Sequence, residues 1–242
     1  MKRFDKYSTR SSDYHFRQIN KWSLKSYNAQ VAARFETLVE NVEKVAKIEG
    51  FKLLDVGCGD GVALYLLRDR LPRLELCGVD PSEEALAVAR QKVSDAELKK
   101  STSGSLPFED DLFDVVISSD VIEHVEDPEQ MLKEIKRVAK NGAVIIIGTP
   151  IKHSKFPIDH NHVQEFFAED FLEMMQKHFQ KCELHESHNL VLSLLYNAPT
   201  KSFFNFKYLI NLLSLVLNWN PFRAERWNRI QMFAYMYVIC KK

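Results

Sequence analysis

The sequence predicts an α/β protein: a doubly wound, mostly parallel seven-stranded sheet of the Rossmann-like kind, with an apolar helical insertion before the last strand. Three observations carry that prediction. Short apolar runs alternate with helical patterns from Phe51 to Phe179. The first run, Leu53-Leu54-Asp55-Val56, ends in the turn Gly57-Cys58-Gly59-Asp60-Gly61, and a helical pattern follows at once. The second run ends in an acid, Asp80, roughly 20 residues beyond the glycines, the spacing that sets a carboxylate at the tip of the neighbouring strand.

Taken in order, residues 1–24 are polar and aromatic and read as an arm. It is expected either to fold over a ligand cleft as a lid, with His15 and Arg17 as contacts, or to lie as an ordinary surface arm. Residues 25–242 then form the main domain. From Lys25 to Ala46, Val31, Phe35, Leu38, Val39, Val42 and Val45 recur at helical spacing. The helix after the glycine turn runs from Val62 to Leu71 and is stopped by Pro72. Leu74 to Asp80 is the second strand, and Ser82 is placed to cap the helix that reaches Val93. The third strand is expected at Leu98–Thr102 and the fourth at Phe113–Ser119. Asp127-Pro128-Glu129-Gln130 has the form of a helix start, with Asp127 as cap and Pro128 in the first turn. Met131, Leu132, Ile135 and Val138 share one face, and Asn141-Gly142 is expected to end that helix. Ala143 to Gly148 is the fifth strand, Ala168 to Phe179 a helix, and Cys182–His188 and Met232–Cys240 the last two strands.

In such a sheet a ligand sits at the carboxyl ends of the strands. Those ends are Gly57, Asp80, Thr102, Ser118–Ser119 and Thr149–Pro150. A dinucleotide turn would read G-x-G-x-x-G, but the third glycine position here is Val62. Two carboxylates, Asp55 and Asp60, flank the turn. They would repel a pyrophosphate and attract a cation.

Composition narrows the classes. With 45% hydrophobic and 27% charged residues, the chain is of ordinary globular type. Lys plus Arg equals Asp plus Glu at 33 each, which argues against a nucleic-acid partner held by a basic surface. The four cysteines are far apart and lack C-x-x-C spacing, so reduced thiols are expected. The N-terminus has no apolar secretion core, and no apolar run reaches spanning length. On these features a cytoplasmic location, with or without membrane association, is expected.

The pattern Asp55-x-Gly57-x-Gly59-x-Gly61 resembles motif I of the class I S-adenosylmethionine-dependent methyltransferases. The segment Leu106-Pro107-Phe108, with Phe113-Asp114-Val115-Val116 and Glu123-His124-Val125, is similar to the type 11 branch of that class. The resemblance implies S-adenosylmethionine as cofactor. It assigns cofactor contacts to Asp55, Gly57, Cys58, Gly59, Gly61, Asp80, Pro81, Thr102, Ser103, Ser118, Ser119 and His124. Thr102 stands where the branch often has an Asp. The element His162-Val163-Gln164-Glu165-Phe166 resembles a His-x-x-Glu-Phe motif after the fifth strand of similar enzymes. His162 is then the first candidate for the base, Glu165 its orienting carboxylate, and His160 the next candidate. His160 and His162, with Asp159 and Glu165 near, also fit a metal pattern, but no metal is assigned. The implied function is methyl transfer to a small-molecule hydroxyl, a sugar or a lipid-linked glycan. A quinone or other lipophilic ring precursor is the alternative, and a non-catalytic subunit that keeps the cofactor fold is another.

One stretch stands outside the pattern. Within an insertion at about 190–230, residues 203–219 make a helix with one polar stripe, Lys207, Asn211, Ser214 and Asn218. Its wide apolar face demands a cover. The core beside the acceptor, a second copy, or a membrane surface, with peripheral association, each supplies one.

Overall fold

Apolar runs bounded by glycine and charged turns have one economical use, a sheet buried on both faces. The computed structural model describes residues 11–45, 50–153, 161–198, 206–223 and 232–242. Its elements are α1 (Tyr14–Ile19), α2 (Ala29–Val45), β1 (Lys52–Val56), α3 (Val62–Arg70), β2 (Glu75–Asp80), α4 (Glu83–Lys92), β3 (Glu97–Lys100) and β4 (Phe113–Ser119). They continue with α5 (Pro128–Val138), β5 (Ala139–Pro150), α6 (Ala168–His178), β6 (Gln180–Asn189), α7 (Leu190–Asn197), α8 (Phe206–Val216) and β7 (Phe233–Lys241).

The sheet has seven strands in the order β3-β2-β1-β4-β5-β7-β6. β7 runs antiparallel to both neighbours, and the other pairings are parallel. The chain winds outward from β1 in one direction and from β4 in the other. The crevice therefore opens between the carboxyl ends of these two strands. One face packs Leu53, Val115 and Ile117 against Leu38 and Val42 of α2, Leu64 and Leu67 of α3 and Leu86 of α4. The other packs Leu54, Val116 and Ile145 against Met131, Leu132 and Ile135 of α5 and Phe171 and Met175 of α6. Each such side chain contributes about 1.5–3 kcal/mol through its burial. Ser82 and Asp127 cap α4 and α5 as read, accepting from the N–H groups of Ala85 and Gln130.

Four local expectations are corrected. Residues 14–19 are helical, because the side chain of Asp60 gathers the first turn of α1. β3 ends at Lys100, short of Thr102, which belongs to a turn closed on Ser105. α5 ends at Val138, not at Asn141-Gly142, because Ala139 already pairs with Phe113. Finally, Cys182 and Cys240 form a disulfide. β6–β7 pairing brings their Cα atoms to 4.1 Å across a register shift, although 58 positions separate them in the chain. Cys58 and Cys77 are free and buried.

The insertion is folded inside out relative to its polar stripe. In α8, Asn211 and Ser214 are buried. Asn211 Oδ1 accepts from Ala29 N–H (3.1 Å) and from the Tyr196 hydroxyl (2.6 Å), and its Nδ2 donates to the Tyr27 carbonyl (2.6 Å). Leu212, Val216 and Leu217 of this segment are exposed, as are Val191, Leu194 and Leu195 of α7. The pair packs on the start of α2, through Tyr196, Ile210 and Phe222. No described helix is long and apolar enough to cross a membrane.

Candidate active site

The turn after β1 is held by two backbone donors. Gly57 and Cys58 N–H both donate to the Val79 carbonyl, at 2.8 and 2.9 Å. Gly57 has φ +82°, and a Cβ there would lie 2.3 Å from Val121 Cγ2. Only glycine fits this bend. Gly61, φ +86°, does a different job from the one expected. A Cβ on it would meet the Ala89 Cβ at 2.9 Å, so it lets α3 and α4 approach and does not line the cleft.

At the tip of β2, Asp80 Oδ2 accepts from Gly59 N–H (2.9 Å) and Oδ1 accepts from Ser82 N–H (2.8 Å). Asp55 lies buried nearby. Burial, with the Asp80 charge adding to it, pushes its carboxyl up to about 8. A cationic ligand in the cleft would favour the ionised form of both groups. Asp60 is fully buried and does not line the cleft. It anchors the arm instead, accepting from His15 N–H (2.8 Å) and meeting His15 Nδ1 (2.9 Å). His15 thereby reaches the cleft, whereas Arg17 pairs with Asp13 at the exposed surface.

The cleft holds about 430 Å³. Asp55, Gly57, Cys58, Gly59, Asp80, Pro81, Ser119 and His124, all expected as cofactor contacts, line it. Thr102, Ser103 and Ser118 do not. Ser118 is buried and donates to the Val56 carbonyl (2.8 Å), tying β4 to β1. Lys100, at the true end of β3, takes the place expected of Thr102. Asp120 and Val121 were not foreseen. Asp120 follows Ser119 at φ +56° and pairs with the partly buried Arg34. Its place one residue beyond a predicted strand tip was the only available signal. A larger cleft of about 590 Å³, between α2, β6 and residues 218–223, contains none of the predicted site residues.

Across the cleft, the single-turn helix Ile122–His124 meets the loop after β5. Val163 and Gln164 N–H donate to the Glu123 carbonyl, at 2.9 and 3.2 Å, which pins the loop. His162 Nδ1 meets Glu165 Oε1 at 2.7 Å, and the His162 and His124 rings lie edge to face at 5.1 Å. The orienting pair therefore exists in space. His162 does not line the cleft; its ring packs against that of His124, which does. His160 lies outside the described residues.

Residues 54–147 match the family described as a methyltransferase domain. The chain carries a class I S-adenosylmethionine-dependent methyltransferase domain. Among relatives, a ubiquinone biosynthesis O-methyltransferase of Cereibacter sphaeroides is 31% identical over 144 residues, 57% of this chain and 56% of that protein. A phosphatidylethanolamine N-methyltransferase of the same organism is 32% identical over 115 residues, 45% of this chain and 55% of that protein. Phosphoethanolamine N-methyltransferase 2 of Haemonchus contortus, solved with S-adenosyl-L-methionine, shares the fold of the domain. Its TM-score is 0.61 at 19% identity, over 85% of this chain and 52% of that one. The chain spans about half the length of the curated relatives it matches. S-adenosylmethionine is the cofactor of this domain family, and the carboxylates of Asp55 and Asp80 with the glycine cradle suit its cationic nucleoside.

Proposed function

We propose that the protein transfers the methyl group of S-adenosylmethionine to a hydroxyl of a lipophilic small molecule, of the ring-precursor class rather than a sugar. The observation that carries this reading is a cleft lined by the carboxylates of a strand edge and by His124, with the His162–Glu165 couple packed against that histidine. The quinone-related and phospholipid-related relatives support a lipophilic acceptor.

Bound in the cleft, S-adenosylmethionine supplies an electrophilic methyl on a sulfonium. Asp80 is preset by two backbone donors to accept from ribose hydroxyls. Asp55 adds negative charge near the bend, and Gly57 lets the ligand approach the backbone. Behind His124, Glu165 holds Nδ1 of the His162 ring, which leaves Nε2 as the nitrogen to take a proton from the acceptor. Holding acceptor oxygen, methyl carbon and sulfur in line supplies most of the acceleration. Removal of the hydroxyl proton through His162 contributes about 10²–10⁴-fold. The helix α1, clamped by Asp60, serves as the lid over the cofactor. The outward apolar face of α7 and α8 is the surface through which the protein would meet the lipid that carries its acceptor.

Calorimetry with S-adenosylmethionine and its demethylated product, beside a nicotinamide dinucleotide, tests the cofactor. Binding of the dinucleotide alone would end the reading. Transfer assays on phenolic ring acceptors and on sugars then separate the acceptor classes. His162→Ala should depress turnover while cofactor affinity holds. Cofactor binding without transfer to any acceptor would favour the non-catalytic subunit. Vesicle flotation against sedimentation separates lipid contact from a homodimer through the same face.

A further inference from the structure

Beside the cofactor cleft three side chains from two separate segments converge. Glu123 and His124 come from the single-turn helix after β4, and His162 from the loop after β5. Each offers one ligand atom, and the three atoms lie within 4.8 Å of one another. This is not the pair that sequence spacing suggested. Among the described residues, His162 is matched with His124 across the fold; His160 lies outside them.

The second observation concerns the other ring nitrogens. His124 Nδ1 lies 3.0 Å from the Asn161 carbonyl oxygen, so it carries the hydrogen and donates. His162 Nδ1 lies 2.7 Å from Glu165 Oε1. A neutral imidazole that donates from Nδ1 has its lone pair on Nε2. One backbone carbonyl and one carboxylate therefore fix both rings in the ligand tautomer, the arrangement that orients metal-bound histidines. The side chains of His162 and Glu165 are only 9% and 3% exposed, so the geometry is held by packing. Glu123 is buried, and its Oε2 accepts from the Thr149 hydroxyl at 3.1 Å. That bond fixes the carboxylate, much as the other two ligands are fixed.

We propose that Glu123, His124 and His162 bind one divalent cation of the zinc, cobalt or manganese type. Two imidazoles and a carboxylate are a ligand set that leaves a further position open. It favours borderline cations over magnesium or calcium, which take mainly oxygen ligands. His124 borders the cofactor cleft, so a cation held here would lie at the edge of that cleft. The binding site stands on geometry alone; its role rests on the methyl-transfer reading. An acceptor hydroxyl that takes the open position loses its proton to water more readily. Its oxygen then bonds the methyl carbon, and the carbon–sulfur pair returns to sulfur, leaving a neutral thioether. With the cation bound, His162 is a ligand, and solvent takes the proton that the bare imidazole would otherwise accept.

The test uses the full chain, stripped with a chelator and titrated with zinc and, separately, with cobalt. Calorimetry should show one equivalent bound, and cobalt should give visible d–d absorption that zinc displaces. Magnesium should compete poorly. His124→Ala and His162→Ala should abolish the cobalt spectrum. Glu165→Gln, which leaves all three ligands in place, should weaken zinc by about 10–100-fold at unchanged stoichiometry. Circular dichroism and thermal melting confirm that each variant is folded, with S-adenosylmethionine binding as a second control for His162→Ala and Glu165→Gln. Failure to bind zinc and cobalt, or binding indifferent to His124, His162 and Glu165, overturns the proposal. Cation binding without cofactor binding would sink the methyl-transfer reading and leave the site standing.

Discussion

The strand tips and the helical pair between β6 and β7 both carry short polar residues, and they turn them in opposite directions. At the tips, Asp55 and Asp80 border a cleft where a ligand can lie. In α8, Asn211 turns away from water to serve Tyr27, Ala29 and Tyr196, while Leu212 and Val216 face outward. The difference teaches that a polar stripe marks where hydrogen bonds are needed, and that is not always the solvent side. The first N–H groups of α2 have no partner within their own helix. A buried donor left unmet costs more than an exposed leucine does.

That contrast can be broken at either end. The largest effect is expected at the tips. Asp80→Ala should weaken S-adenosylmethionine by about 100-fold, since charge-assisted bonds to two hydroxyls are lost; calorimetry reads it. A change under threefold would mean that β2 does not hold the nucleoside. Next, Asn211→Leu removes the central member of the polar stripe of α8, which a naive pattern would favour. It should destabilise the fold by about 2–3 kcal/mol in urea titration, because buried groups at Tyr27, Ala29 and Tyr196 lose partners. A neutral result would invert the comparison.

His188 sharpens it through pH. This buried ring bonds the Gln30 carbonyl, stacks on Phe222, and is held down at about 3 by burial, with the Arg34 charge adding to it. The unfolded chain takes up the proton first as pH falls. Stability is therefore complete above the ordinary histidine value and declines from about pH 6.5 toward 3. The loss should be about 2 kcal/mol by pH 5. His188→Gln should flatten that limb of the stability–pH curve; an unchanged slope would remove His188 from the account. The smallest effect is expected on the outward face. Leu194→Ser, Leu212→Ser and Val216→Ser should each move stability by no more than about 0.5 kcal/mol. A loss of several kcal/mol would show that this face is covered in solution.

The candidate site was legible in proportion to how local its causes are. Gly57, Gly59 and Asp80 announce themselves because a tight bend and an acid one strand later are short-range features. Ser118 shares its strand with Ser119 but points to the Val56 carbonyl, a distinction set by the alternation of faces against β1. Asp60 looked like a ligand carboxylate until the arm folded onto it. The metal-type cluster was half visible. His162 and Glu165 sit in one short motif, but His124 joins them only when the loop after β5 crosses the end of β4.

By itself, the sequence determined the alternation of strands and helices, the glycine bend, the capped helix starts and the acid at the second strand's tip. Each depends on neighbours a few residues away, through backbone sterics and side-chain period. Tertiary structure alone decided which histidines meet, that Cys182 reaches Cys240, and that the polar stripe of α8 faces inward. These depend on groups brought together from distant parts of the chain. Their partners exist only after the sheet has closed, and the need to satisfy buried polar groups then overrides the local pattern.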